Sequence, residues 1–503
     1  GTLRRMMRLE EAERHLDALA SEPDRPDREE RMRELVACPQ ALASLISRRL
    51  RSAEPALARV MLEVMARRYY RMRELSPFSE ARAADLSFSC SGYREQGREK
   101  RLAAAFVELS ELDAVLSGLA ALARETAEGK ALVVDLYAEY DGPAPPRGEL
   151  AVRLRGVLEQ AQPPPALERV VFALADPERG RGMGAIDVFS FRRAEDGLLE
   201  EDESLRGLHP MMAERLHLWR LSQFELERRP SPEDVYLYQG TALSNPEDER
   251  LFALAEVRDL TPVRDVAGRI VALPELERAL DESLEAMRDA QAQREPRRRP
   301  LWNRVQMYVW PTITIPPEDL RTIMLRYGRP TRDLGIEMVE VRGRMREDGE
   351  ERLRDLRFFS PTGRGVVVEV DDPPDRPLWP LDDAARRIIR ARQRGTVHPA
   401  ELVKVLAPTR GESEHEGLPP GDFVEHDLDQ RGRLVPVDRA PALNETSVVA
   451  GLVRNRTDRY PEGMLRVALF GDPTRALGSL AEPECRRIIA ALDLAEELRV
   501  PAE

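Results

Sequence analysis

Lysine is nearly absent from this 503-residue chain: of 77 basic residues, only Lys100, Lys130 and Lys404 are lysines. That scarcity excludes several chemistries. Biotin attachment needs a lysine presented on a hairpin, usually beside methionines. The three lysines sit in Glu-Lys-Arg, Gly-Lys-Ala and Val-Lys-Val. A phosphate-cradling loop needs G-x-x-x-x-G-K-[ST], and Gly129-Lys130 lacks the first glycine and the hydroxyl residue. Cysteine is equally sparse. Cys38, Cys90 and Cys485 are odd in number and far apart, with no C-x-x-C pair, so neither a disulfide framework nor a thiolate zinc site is indicated. A reducing, cytoplasmic setting is expected. No apolar run is long enough to span a bilayer, and no signal peptide is recognisable. The net charge of -13 argues against non-specific nucleic-acid binding, which needs a basic surface.

What remains is a chain 42% hydrophobic and 33% charged, suited to several cores. It opens at Gly1 rather than a methionine, which reads as a segment of something longer. Residues 1–75 read as helices broken at Ser21–Asp27 by two prolines. In the last helix Leu57, Val60, Met61, Val64 and Met65 form one apolar stripe. From Leu86 the period changes. Strands are expected at 86–91, 131–138, 169–175, 185–191, 234–239 and 250–257. Helices are expected at about 110–127, 147–161, 208–224 and 273–293. The basic, proline-bounded Arg294–Pro300 reads as a linker.

A second α/β unit follows. In MYVWPTITIPPEDL (307–320), a strand gives way to a helix opened by Pro316, Pro317, Glu318 and Asp319. Tyr308 and Trp310 share one strand face and are expected to pack beneath or beside a helix. The helix is expected to end at Gly328, before Pro330. Strands at 334–341, 352–359 and 365–370, the first pair turned at Asp348-Gly349, and a helix at about 380–394 complete the unit. Beyond a loop at 408–421, strands at 423–428, 433–437 and 464–470 and a helix at 482–498 are expected.

Candidate chemistry is thin. Gly180–Ala185 is glycine-rich, but a strand follows it where a dinucleotide site needs a helix N-terminus. No G-x-S-x-G elbow exists. His209 and His217 flank Glu214 without H-E-x-x-H spacing, which favours surface or capping roles over metal binding. His415 and His426 lie among Glu414, Glu416, Glu425 and Asp427; solvated loop charge outweighs a metal site. Cys90 reads as a small core residue. No residue is assigned a catalytic, cofactor-binding or metal-ligating role.

Several ordered stretches carry a resemblance. Pro311-Thr312, Pro317 and Leu325-Arg326-Tyr327-Gly328, together with ARRYYRMREL (66–75), LHPMMAERLHLWRLSQFEL (208–226) and VYLYQGTA (235–242), resemble the central region of single-chain, biotin-dependent acyl-CoA carboxylases of the acetyl-CoA carboxylase type. Asn444-Glu445, Tyr460-Pro461-Glu462-Gly463, Gly471-Asp472-Pro473-Thr474 and Gly478-Ser479 resemble the entry into that family's carboxyltransferase domain. The sequence reaches Glu503 before the family's S-x-G-A-[RK]-I segment. The short stretch 390–409 is closer to the bacterial members, and Gly471–Thr474 departs from the family's G-N-D-x-T.

The resemblance implies an α/β (α+β) architecture with mixed or antiparallel sheets. The expected division is a helical linker or bundle (1–76), two consecutive α/β units (77–295 and 296–415) and the start of a crotonase-like carboxyltransferase domain (416–503). It implies a non-catalytic scaffold within a parent enzyme that uses ATP, bicarbonate, biotin and Mg or Mn to carboxylate acetyl-CoA or another acyl-CoA in fatty acid biosynthesis. No cofactor is expected on this segment itself. The implied partners are the biotin carboxylase, biotinyl carrier and remaining carboxyltransferase domains of the same chain, in a homo-oligomer, without nucleic acid or membrane. The alternatives are a stand-alone CoA-binding transferase of crotonase type and a non-enzymatic interaction scaffold.

Overall fold

The apolar stripe at 57–65 does form a helix, and that helix seeds the first core. The computed structural model describes residues 9–37, 55–70, 75, 77–83, 86–95, 98–126, 130–140, 145–175, 186–205, 207–232, 235–328, 331, 334–347, 349–360, 366–408 and 419–503. Leu9–Ser21 (α1), Arg28–Ala37 (α2) and Pro55–Tyr70 (α3) pack through Leu16, Leu19, Met32, Leu35, Met61 and Val64, all buried. Glu63, buried on α3, is held by Arg28 of α2 and by Arg67.

A seven-stranded sheet follows in strict sequence order: Ser79–Ala83 (β1), Leu86–Glu95 (β2), Arg98–Phe106 (β3), Ala131–Glu139 (β4), Leu167–Ala175 (β5), Ile186–Arg193 (β6) and Leu199–Glu201 (β7). The central pairs β3–β4 and β4–β5 are parallel; the flanking pairs are antiparallel. Parallel neighbours need crossover helices, supplied by Leu112–Arg124 (α4) and Arg147–Ala161 (α5). Both helices cover one face of the sheet through Leu116, Leu119, Leu150 and Leu154.

The second sheet repeats this plan. Its order is Phe224–Arg229 (β8), Val235–Ala242 (β9), Asn245–Val257 (β10), Asn303–Val309 (β13), Ile336–Glu347 (β14), Glu350–Phe359 (β15) and Val367–Asp371 (β16). Again the two central pairs are parallel and the rest antiparallel. Pro274–Ala292 (α7) and Pro317–Met324 (α8) make the crossovers. A ribbon of Val263–Arg264 (β11) and Ile270–Ala272 (β12) interrupts the first of them. The central strands even share a short pattern, Val134-Asp135-Leu136-Tyr137 on β4 and Val305-Gln306-Met307-Tyr308 on β13. The chain is a mixed α/β structure whose two large sheets have one topology.

Several expectations change. The division at 295/296 runs through one hydrogen-bonded sheet, because β10 and β13 pair directly across it. Arg294–Pro300 is a connection inside the second unit, tied back to β10 by Arg294 on Glu249 at 2.5 Å. The helix expected at 208–224 is only Pro210–Arg215 (α6), then a 3-10 turn at 218–221, then β8. His217 stops it by adopting a left-handed backbone, φ 51°. Strands β1, β3, β7, β8, β11 and β12 lie outside the expected strands. The glycine-rich 180–185, Pro330 and Asp348 lie outside the described residues.

Asp383–Gln393 (α9) and Pro399–Leu406 (α10) lead to a four-stranded antiparallel sheet. Its order is Leu434–Pro436 (β18), Gly421–Leu428 (β17), Val448–Asn455 (β19) and Met464–Gly471 (β20). Leu402, Val403 and Leu406 of α10 pack on one face through Val449, Val453 and Phe470. Glu482–Leu498 (α11) covers the other through Ala491 and Ala495 against Ala450 and Val467. The strand at 448–455 was not anticipated either. Among the described residues no helix is long and apolar enough to cross a membrane.

Candidate functional site

The inner faces of the two large sheets and the helices α1–α3 share one core, and the stretch 208–221 runs through it. Its local structure is dictated by His209-Pro210. Proline is tolerated at the first helical position, and the His209 Nδ1 accepts the Met211 N–H at 3.2 Å as an N-cap. With Nδ1 committed as an acceptor, the proton sits on Nε2, which faces Asp135 Oδ2 at 3.2 Å. Asp135 also accepts from the Tyr70 hydroxyl at 2.9 Å and the Tyr137 hydroxyl at 3.4 Å. Tyr69 stacks on the imidazole at 4.1 Å. Burial holds the His209 pKa below its ordinary value, although Asp135 pulls it up. Burial, then the Asp135 charge, pushes the Tyr70 hydroxyl far up, so it stays a donor.

Beside this lies an ionic cluster on the same sheet face. Arg169 reaches Glu95 at 3.0 Å and the Tyr93 hydroxyl at 3.2 Å. Lys100 bridges Glu95 and Glu168 at 2.6 and 2.5 Å. Burial pushes the Glu95 carboxyl up, but Arg169 and Lys100 outweigh it and hold it at about 2.

The other end of the stretch grips the second sheet. Arg215 donates to Glu256 of β10 at 2.7 Å, and its guanidinium lies 5.2 Å over the Trp310 ring. Arg258 approaches the same ring at 5.7 Å. Tyr308 and Trp310 thus do share a face, turned away from α7 and α8 and towards α6. Arg220 Nη1 donates to both carboxylate oxygens of Glu340 of β14, at 3.1 Å each. Arg342 joins Glu340 at 2.9 Å and Asp355 at 2.5 Å. Burial first, then Arg342 and Arg220, lowers the His217 pKa to about 4.

A second histidine-proline cap recurs at His398-Pro399, where Nδ1 accepts the Ala400 N–H at 3.2 Å and Nε2 stands 3.6 Å from Asp472. Asp472 accepts from Asn444 at 2.7 Å and from the Thr474 hydroxyl at 2.6 Å. Burial raises its carboxyl, but these bonds outweigh that and hold it well below the usual range. In both histidine-aspartate pairs Nδ1 caps a helix and Nε2 faces a buried carboxylate, within hydrogen-bond distance for His209 and at 3.6 Å for His398. Both are suited to fixing elements in place.

The expected site residues divide accordingly. His209 caps, as one reading held, but is buried rather than superficial. Glu425 and Asp427 are strand residues held by Arg439, not loop charge, and His426 is buried with its Nδ1 2.9 Å from the Val424 carbonyl. His415, Glu414 and Glu416, with Cys38, lie outside the described residues. Cys90 is a core residue whose thiol is pushed up by burial. Asp135, Glu340 and His398 carried no sequence assignment; Asp135 is a lone polar residue in an apolar stretch, Glu340 and His398 sit among other polar residues, and the His-Pro pair is the available signal for the third. Among the described residues, no group of three or more His, Cys, Asp and Glu could hold a metal.

The same elements decide what the chain resembles. Residues 165–371 match the acetyl-CoA carboxylase central region. The match runs from β5 to β16 and includes the bridging stretch and the whole second sheet. Acetyl-CoA carboxylase of Schizosaccharomyces pombe is 22% identical over 341 residues, 60% of this chain and 15% of that protein. That of Dictyostelium discoideum is 22% identical over 409 residues, 67% of this chain and 18% of its own length. The crystal structure of the central domain of yeast acetyl-CoA carboxylase covers 75% of this chain and 63% of that one, at 16% identity and a TM-score of 0.49. The chain thus spans about a sixth of the length of these curated carboxylases.

Proposed function

We propose that this chain is the non-catalytic central region, with the first part of the carboxyltransferase domain, of a biotin-dependent acyl-CoA carboxylase of bacterial type. The match over residues 165–371 carries the proposal. For the transferase entry, the support is that Asn444 and Asp472, from two separate quoted motifs, hydrogen-bond at 2.7 Å. The parent would use ATP and bicarbonate to carboxylate biotin, then pass the carboxyl group to acetyl-CoA or another acyl-CoA. Other domains of the same polypeptide would bind biotin, ATP and Mg or Mn, in a cytoplasmic homo-oligomer serving fatty acid synthesis.

The contribution of this segment is distance. Misplacing reacting groups raises a barrier as surely as removing one, and a rigid pair of sheets fixes the span across which a tethered biotin must travel. The test is the native gene product. A streptavidin blot that detects it, with a reading frame that continues into a glycine-rich S-x-G-A segment, is expected. A stop codon immediately after Glu503 and no biotinylated product would overturn the proposal.

A further inference from the structure

Among the described residues, the stretch 208–221 places polar side chains on acidic partners in both large sheets from between them. His209 meets Asp135 at the centre of the first sheet. Eleven residues on, Arg220 meets Glu340 beside the centre of the second. These two anchor points occupy comparable places in the two repeats: Asp135 lies on β4, and Glu340 pairs in register with Gln306 on β13, the counterpart of Asp135 in the shared pattern. Between them, Arg215 adds a third hold on Glu256. Among the described residues no backbone ladder joins the sheets; their strand orders are separate.

We propose that this stretch is a positioning bridge that sets the angle between the two sheets, with Arg220–Glu340 as the latch on the second. Each sheet has its own core under its own pair of helices. The latch is therefore not needed for either sheet to fold, but for the two to keep one mutual orientation. A buried, charge-assisted contact in which one guanidinium nitrogen, Nη1, is shared between both Glu340 oxygens suits this role because it ties the stretch to one point on β14. Its burial keeps bulk salt from screening it. Arg342 and Asp355 form a neighbouring pair of opposite charge, so removing Arg220 and Glu340 together leaves no unbalanced charge behind.

The experiment uses the full chain with spin labels at Val152→Cys on α5 and Glu285→Cys on α7, both exposed, in a Cys38→Ser, Cys485→Ser background. Pulsed electron resonance reads the distance distribution between the two sheets. Hydrogen exchange of β4 and β13 reads whether each sheet stays folded. With Arg220→Met and Glu340→Gln combined, the distribution should broaden at least twofold while exchange protection of both strands persists. Arg220→Lys, which keeps the charge and one donor nitrogen, should broaden it less. A distribution of native width in the double variant would overturn the bridge. So would loss of protection throughout either sheet, which would make the contact a part of that sheet's own fold. Neither readout depends on whether the parent is a carboxylase.

Discussion

Replacing Asp135 gives the sharpest test of how the helices, the first sheet and the bridging stretch are joined. Asp135 is 1% exposed and accepts three hydrogen bonds, from Tyr70 on α3, His209 on α6 and Tyr137 on its own strand. Hydrogen bonds to a charged acceptor contribute about 1.5–3 kcal/mol each. Their sum is reduced by the cost of burying the carboxylate itself, so Asp135→Ala should destabilise the region by about 3–5 kcal/mol. Asp135→Asn keeps the shape and can still accept from Tyr70, but it sets an amide donor against the His209 Nε2–H. A loss of about 1.5–3 kcal/mol is expected for it. Because the chain has several cores, one global midpoint would mislead. Hydrogen exchange read separately over 55–70, 131–139 and 210–215 gives local opening free energies. All three segments should lose protection together in both variants. Alanine within about 0.5 kcal/mol of the parent sequence, the range of an ordinary surface change, would refute the role given to Asp135.

Three further outcomes follow from other sites. The His217 pKa is lowered to about 4 from 6.5, so the unfolded chain binds a proton that the folded chain refuses. Stability should therefore fall as pH drops from 6.5 to about 4, by about 1–2 kcal/mol after allowance for partial exposure. Urea midpoints against pH should show this slope and His217→Gln should flatten it; below it, Glu95 adds a second loss between 4.5 and about 2. His398→Ala removes a cap and a partner of the buried Asp472, and should cost about 2–3 kcal/mol in exchange protection over 399–406. His398→Asn, which can still cap, should recover about half of that loss. Gly421→Ala puts a Cβ 2.5 Å from the Arg454 carbonyl oxygen in the paired strand. It should destabilise the third sheet by about 1–3 kcal/mol, seen as faster exchange in β19 with both large sheets unchanged.

What could be read from the sequence followed apolar periodicity. Strands β4, β5 and β10 were legible because valine, leucine and phenylalanine run through them, and α5 and α7 because their stripes are long. Strand β3 was not: Arg98–Lys100 hides its start, and Ala103, Ala104 and Ala105, though fully buried, carry little strand signal. With β3 missing, the repeat of topology was invisible, and the basic stretch at 294–300 passed for a domain boundary. The expected helix 208–224 runs too long because Leu208, Met212 and Leu216 keep a helical spacing right up to the left-handed turn at His217. The pairings that matter at the bridge join residues far apart, Asp135 with His209 and Arg220 with Glu340, and no local pattern announces them. Tyr308 and Trp310 were placed on one face correctly from alternation alone. Their neighbour Arg215 could be found only in three dimensions.

The direct measurement is transfer of label from [14C]bicarbonate into acid-stable product by the purified native full-length protein, with ATP, Mg and acetyl-CoA or propionyl-CoA. Incorporation that requires ATP and acyl-CoA and is abolished by avidin is the expected result. A native protein that carries no biotin and fixes no label with either acyl-CoA would contradict the proposed biotin-dependent carboxylation.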